Sequence, residues 1–507
     1  MPTLVSLMGV LTPLACQGVH SSDTGVVTTA QQDSGSPIHD SETATDSDSD
    51  TGTADDSGTA TAGDSGTGTG TQPTPGPTID AFAFAVLLGE VASGEAGFSV
   101  EAAGDFDGDG STEVVVGAPQ DSSVEVTQGS AYIVRTDLAG SHTISASGTT
   151  IEGDGSGAQS GWEVTGLGDT NGDGLDDILV GGKVASDGYI VCGSPTPPTS
   201  VDDACGVLTN RIQDYLGRAA SRTGDVNGDG LADLLMGAPA TDAVDTREGA
   251  AYLFHAPFSG ERGTDEAHAT FLNDTILEFA GWSVSGDGDI NGDGHQDFVI
   301  GAPGVLYESG VAGGVYLFHG PVTGTHWTAD ASERNRTSFG DGQTVSLTSD
   351  LNGDGYADLI IGTAVRTYEI DPVVMVYSGS ATASALSTGL PDGKIYDPNV
   401  NGGYVYEGVG LGDHDLDGDD ELGVADGGWV GDPFFQVFHG PIVGTLDFTD
   451  AVVSLEPESP TYGLDATAAK TEDLDGDGIE DVIVGVPELD LGAEDGGGVY
   501  LLSGAAL

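Results

Sequence analysis

The chain has 507 residues, of which 82 are Asp or Glu and only 12 are Lys or Arg, so its formal charge at pH 7 is −70. Binding to a phosphate backbone needs a basic footprint, and this balance excludes nucleic acid as a partner. Carboxylates at such density repel one another in a compact state, which predicts bound cations that offset part of the repulsion.

The segment from Met1 to Cys16 holds an apolar core, with Leu4, Val5, Leu7, Val10 and Leu11, too short to cross a bilayer but long enough for a signal peptide. Residues 1–15 are read as that signal peptide. Leu14-Ala15-Cys16 resembles the end of a bacterial lipobox, which implies that Cys16 is lipidated and opens the mature protein. Pro13 stands where that family prefers Leu, and no Lys or Arg precedes the apolar core. Gln17, where an Asp would retain such proteins at the inner membrane, resembles the pattern for export to the outer membrane. The expected location is therefore the cell surface, with secretion as the alternative. Residues 16–78 are rich in Asp, Ser, Thr and Gly with almost no large apolar side chain. Such a stretch cannot bury enough surface to offset its ordering entropy and reads as a disordered, charge-extended linker. No later run approaches eighteen apolar residues, so a lipid anchor is the only membrane contact expected.

Residues 79–507 carry an internal repeat. An apolar segment, Phe82 to Leu88, comes first, and then seven copies of one unit follow at intervals of roughly sixty residues. The first copy reads Asp105-Phe106-Asp107-Gly108-Asp109, closes its loop at Glu113, and runs into Val114, Val115 and Val116. The others begin at Asp169, Asp225, Asp289, Asp350, Asp413 and Asp473. Before each loop stands a short strand pattern such as Gly97-Phe98-Ser99-Val100 or Gly161-Trp162-Glu163-Val164. After it come an apolar run such as Asp297-Phe298-Val299-Ile300 and a third strand such as Val315-Tyr316-Leu317-Phe318. Apolar runs bounded by Gly and Pro and rich in branched residues fit strands covered on both faces. Groups of about four strands repeated in this way predict an all-β fold, a seven-bladed β-propeller. Phe82 to Leu88 is expected to supply the outer strand that the last copy lacks and so to close the ring.

Of the three cysteines, Cys192 and Cys205 remain once Cys16 carries lipid. In an exported protein a disulfide between them is expected, with two free thiols as the alternative.

Oxygen side chains at positions 1, 3, 5 and 9 of a tight glycine-containing turn suit a hard cation such as Ca²⁺, which takes six to eight oxygens. An EF-hand would need a bidentate Glu at position 12, but counted from Asp105 that position is Val116, inside a strand. Phe98 before the first loop, Gly117-Ala118-Pro119 after it, and the recurrences Gly237-Ala238-Pro239 and Gly301-Ala302-Pro303 resemble FG-GAP repeats, the units of the integrin α-subunit propeller. The resemblance implies about seven Ca²⁺ ions, one per blade, with a backbone carbonyl at position 7. Its implied side-chain ligands are Asp105, Asp107, Asp109 and Glu113; Asp169, Asn171, Asp173 and Asp177; Asp225, Asn227, Asp229 and Asp233; and Asp289, Asn291, Asp293 and Asp297. Blades five and seven add Asp350, Asn352, Asp354 and Asp358, and Asp473, Asp475, Asp477 and Asp481. Blade six departs from the pattern, because Leu416 replaces the usual glycine. Its expected ligands are Asp413, Asp415, Asp417 and Glu421, since a register starting at Asp415 would put Gly423 at position 9.

No nucleophile elbow, phosphate loop or HExxH motif occurs in the sequence. His255, His319 and His439 each follow a Phe at the end of a third strand and read as turn residues. Trp162 and Trp282 occupy the Phe98 position and read as core. Arg211, Arg218 and Arg222 are expected to pair with neighbouring carboxylates. Function is expected to be non-enzymatic: a calcium-binding surface protein that presents its propeller to an extracellular protein or glycan. The alternative is a secreted polysaccharide-degrading propeller enzyme.

Overall fold

A computed structural model describes residues 82–507 except 184–186, 210–213, 242–247, 274, 276–277, 305–312, 336–340, 364–373, 383–385, 387–389, 397–405, 427–434 and 456–465. Cys16, the signal segment, the linker and Arg211 lie outside the described residues.

The described chain forms seven antiparallel sheets around a common axis, a seven-bladed propeller. In blade four the order is Ser283–Gly288, Asp297–Ala302, Gly314–Phe318 and Glu333–Asn335, from the axis outward. Second strands such as Asp177–Gly182, Asp297–Ala302 and Asp358–Thr363 are buried at every residue, which is why they read as unbroken apolar runs. The core lies between blades. Phe271 of blade three, for example, packs 4.7 Å from Phe318 and 6.1 Å from Phe298 of blade four, ring to ring.

The glycines of the repeat set how closely blades approach. A Cβ on Gly237 would stand 2.0 Å from the Gly281 carbonyl oxygen of the next blade, and one on Gly117 would stand 2.1 Å from that of Gly161. The same pairing recurs between Gly181 and Gly217, Gly301 and Gly342, and Gly485 and Gly97. Backbone therefore packs on backbone where the blades meet. Serines of the inner strands then cross the seam: Ser99 Oγ accepts from the Val164 N–H at 3.1 Å, Ser221 Oγ from Gly286 at 3.2 Å and Ser285 Oγ from Leu347 at 3.1 Å.

The ring closes through the first described strand. Ala83–Leu88 pairs antiparallel with Gly498–Leu502, with Leu88 opposite Gly498, and so forms the outer strand of blade seven. A clasp that sequence reading did not anticipate adds to this. The connection between third and fourth strands of one blade lends a short strand, such as Gly140–Thr143 or Gly260–Gly263, to the outer edge of the preceding sheet. These parallel additions cover otherwise open strand edges. In blade two Cys192 and Cys205 form a disulfide with Cα atoms 5.8 Å apart, tying the ends of two adjacent strands.

Candidate functional site

Each acidic loop joins an inner strand to the second strand of its blade, so all seven open at one end of the ring. The local fold comes from side-chain carboxylates accepting backbone N–H groups within a few residues. In blade four Asp289 Oδ1 accepts from Gly292 at 2.6 Å and Asp293 at 3.1 Å, and Oδ2 accepts from Gly294 at 2.7 Å. Asn291 Oδ1 accepts from Asp293 and Asp293 Oδ1 from His295, both at 2.9 Å. The bonds from the position 5 and position 6 amides to the first Asp recur at Asp169, Asp225, Asp350 and Asp473. Burial acts upward on the Asp169 carboxyl, but the amides of Gly174, Gly172, Asn171 and Asp173 outweigh it and hold the group below its ordinary value.

Blade six keeps this ladder. Asp413 accepts from Asp417 and from Gly418, each at 3.0 Å, which sets the loop in the register that starts at Asp413. Leu416 takes a φ of 62° at the glycine position and is 71 % exposed. A left-handed conformation costs a residue with a Cβ about 1–2 kcal/mol.

Position 9 is a buried clamp. Asp297 accepts from the Ile290 N–H through Oδ2 at 3.0 Å and from the Gly320 N–H, beyond the third strand, through Oδ1 at 2.9 Å. Asp233 and Asp481 make the corresponding pairs with Val226 and Ala256, and with Leu474 and Gly504. Burial raises these carboxyls, Asp233 and Asp481 to about 6 and Asp358 to about 7. Where Glu stands instead, the longer side chain leaves an oxygen over. Glu113 Oε1 and Glu421 Oε1 are buried without a hydrogen-bond partner.

These loops fit a hard divalent cation. Ligand atoms of Asp105, Asp107 and Glu113 lie within 4.8 Å of one another, as do those of Asp413, Asp415 and Asp417, and of Asp473, Asp475 and Asp481. A cation there would satisfy the spare Glu113 oxygen and offset the repulsion from Asp107, which adds to burial in raising Glu113 to about 7. In the four remaining loops position 3 is Asn171, Asn227, Asn291 or Asn352, which carries a neutral amide oxygen. In three of them the amide nitrogen donates to the position 9 carboxylate, Asn171 to Asp177, Asn227 to Asp233 and Asn352 to Asp358.

The three histidines after the third strands differ. His255 stacks on His268 with ring centres 3.6 Å apart and keeps Nε2 3.8 Å from Asp233. His319 turns to Glu333, 3.7 Å away. His439 places Nδ1 2.7 Å from Asp415 Oδ2, inside the blade-six loop, and is therefore more than the turn residue that sequence reading expects.

Trp162 and Trp282 also depart from expectation. They are not core residues: together with Phe98 they line the mouth of a central channel of about 680 Å³, at the end opposite the acidic loops. Phe98 and Trp162 stand 4.3 Å apart, ring to ring. The Arg218 guanidinium lies 3.7 Å from the centre of Trp282, and Lys183 Nζ lies 3.7 Å from that of Trp162. Arg218 thus stacks on an aromatic face and has Glu163 as its nearby counter-charge.

Deeper in the channel Glu101, Glu163, Asp287 and Glu407 meet Arg222 and Lys470. Burial raises Glu101 to about 7, with Glu407 adding to it. Burial raises Glu163 to about 8, against the Ala220 N–H and Arg218, and raises Glu407 to about 7. Sequence reading missed this set, because its members come from blades far apart in the chain.

A family model described as FG-GAP repeat matches residues 96–134, 218–254, 280–318, 342–369 and 466–502. Integrin alpha-4 of Xenopus laevis is 33 % identical over 165 residues, covering 30 % of this chain and 14 % of that protein. Integrin alpha-PS2 of Drosophila melanogaster is 30 % identical over 239 residues, covering 43 % of this chain and 16 % of its own length. Integrin alpha-5 of Xenopus laevis is 27 % identical over 247 residues, 46 % of this chain and 22 % of that protein. The matched region is thus under a quarter of each relative. The chain carries FG-GAP repeats on a seven-bladed propeller, and over 30 to 46 % of its length it is similar to integrin α chains.

Proposed function

We propose that the protein is a calcium-binding, non-enzymatic surface protein whose propeller holds a protein or glycan partner. The observation that carries this reading is the division of labour between the two ends of the ring. One end is spent on carboxylate loops that fit cations and stiffen the blades. The other end carries the aromatic mouth of Phe98, Trp162 and Trp282 and the connections between second and third strands, where Val124 is 57 % exposed, Val126 71 % and Leu491 46 %. Those three connection residues sit on the neighbouring blades one and seven. Exposed apolar side chains occur at the acidic end too, Leu416 in the blade-six loop among them, so it is the aromatic mouth that distinguishes this end. An aromatic mouth with exposed apolar side chains on the loops of the same end suits a partner surface better than bulk water. Ca²⁺ is the cation of choice because the donor set is carboxylate, amide oxygen and backbone carbonyl.

The similarity to integrin α chains supports an adhesive or binding role on an exported protein. Cys16 would anchor it by lipid at the outer membrane, with residues 16–78 as the spacer. Cys16→Ser should move the protein from the membrane fraction to the soluble one; a wild-type protein found soluble in the cytoplasm would refute the location.

The competing enzymatic reading has its candidate acids in Glu101, Glu163 and Glu407. A screen of the purified protein against glycans and extracellular proteins, with products monitored alongside binding, decides between the two. Binding without product, weakened by Val126→Asp, supports the proposal. Hydrolysis or elimination at enzymatic rates, lost in Glu101→Gln or Glu163→Gln, overturns it.

A further inference from the structure

We infer that blade six holds a metal site of a second class, built by Asp415, Glu421 and His439, that takes a divalent cation with affinity for imidazole, of which Zn²⁺ is the representative. This goes beyond the calcium reading: Asp415 and Glu421 are shared with the blade-six acidic loop, and His439 is the added ligand that changes the class of cation.

One ligand atom from each of these side chains lies within 4.8 Å of the other two. His439 Nδ1 stands 2.7 Å from Asp415 Oδ2. Glu421 is 1 % exposed, and its two oxygens are unequal: Oε2 accepts from the His414 N–H, whereas Oε1 is buried with no hydrogen-bond partner. A buried carboxylate oxygen left unsatisfied is costly, and a cation held between it, Asp415 and the imidazole removes that cost.

The other blades show why this combination is particular. In blades three and four position 9 is Asp, and both oxygens of Asp233 and Asp297 are taken by backbone amides. Their histidines stand farther from any carboxylate than His439 does: His255 stacks on His268 with Nε2 3.8 Å from Asp233, and His319 Nε2 lies 3.7 Å from Glu333. Blade one has the longer Glu113 with a spare oxygen, but Arg135 follows its third strand, where blade six has His439. Among the described residues, the spare oxygen and the inward-facing imidazole coincide in blade six.

Ligand chemistry then separates the two classes. Ca²⁺ selects oxygen, whereas a neutral imidazole nitrogen suits Zn²⁺, Cu²⁺, Fe²⁺ or Ni²⁺. Two carboxylates and one histidine make a three-ligand set of the kind zinc accepts, with a further position for water. Asp415 also belongs to the Asp413, Asp415 and Asp417 cluster, and Glu421 is position 9 of the same loop, so the two classes of cation compete for both.

The test uses the full chain, stripped with EDTA, dialysed into excess Ca²⁺ and then titrated with Zn²⁺. Elemental analysis should find about one equivalent of zinc retained against calcium. X-ray absorption should show a nitrogen donor in its shell. His439→Ala and Glu421→Gln should each cut zinc retention at least about tenfold, while His255→Ala retains it. His439→Ala changes a partly exposed side chain, and a thermal melt matching wild type confirms that it folds. No zinc retained in excess Ca²⁺, or equal retention by His439→Ala, would show that His439 and Asp415 form a hydrogen bond only and would overturn the proposal. Calcium content is read in the same samples, so failure of the calcium reading appears as absent calcium with zinc still bound.

Discussion

Gly237→Ala should destabilise the propeller far more than its single methyl group suggests. Gly237 lies in the buried second strand of blade three, in ordinary extended conformation, so the backbone itself accepts alanine. The obstacle is the neighbouring blade: the added Cβ meets the Gly281 carbonyl oxygen at 2.0 Å and its carbon at 2.9 Å, both backbone atoms that cannot rotate away. Reaching ordinary contact means opening the seam by more than ~1 Å. Overpacking of this kind costs about 1–3 kcal/mol. The same opening stretches the bond from the Gly286 N–H to Ser221 Oγ, now 3.2 Å, beyond useful length, adding about 1 kcal/mol. A loss of roughly 2–4 kcal/mol is therefore expected. Gly260→Ala is the control. There φ is +65° and no atom lies within 4 Å of the new Cβ, so only left-handed backbone strain of about 1–2 kcal/mol applies. Urea unfolding followed by circular dichroism, compared at unchanged m-value, measures both. Equal losses for the two variants would refute the argument that glycine at this position sets the distance between blades.

Chelation with EDTA should lower the melting temperature and added Ca²⁺ should restore it; an unchanged melt with no metal by elemental analysis would count against cation-stabilised loops. Deleting residues 79–90 removes Ala83–Leu88 from its pairing with Gly498–Leu502, so the open edge should aggregate, whereas deleting 17–70 should leave the melt unaltered. Equal tolerance of both deletions would mean the latch is dispensable. The channel glutamates make stability fall with rising pH: Glu407 is raised from an ordinary 4.5 to about 7 by burial, so between those values the folded state keeps a proton that the unfolded chain has released. Glu407→Gln should therefore raise the melting temperature at pH 8 and leave it nearly unchanged at pH 4.5. An identical shift at both pH values would place the effect elsewhere.

Much of this architecture is local and was therefore readable from residues alone. Asp and Asn at positions 1, 3 and 5 fold their own loop through amides within five residues, so the spacing is the structure. The second strands show as unbroken apolar runs because neighbouring blades cover both faces. Phe82 to Leu88 stood out as a strand with no partner nearby in sequence. What tertiary structure alone decided are encounters between distant segments. Alternation along Gly161-Trp162-Glu163 marks a strand but does not say that its edge faces an axis, so Trp162 and Trp282 read as core when they line a mouth. Glu101, Glu163 and Glu407 come from blades one, two and six, and only ring closure brings their charges together. His255, His319 and His439 share one sequence context, yet only His439 comes within hydrogen-bond distance of a loop carboxylate, because what surrounds each imidazole is set by side chains from other segments: His268 with Asp233 3.8 Å away in one blade, Glu333 in another, Asp415 at 2.7 Å in the third. Short-range hydrogen bonding is written in residue spacing, whereas burial and charge at the axis depend on where closure of the ring places each blade.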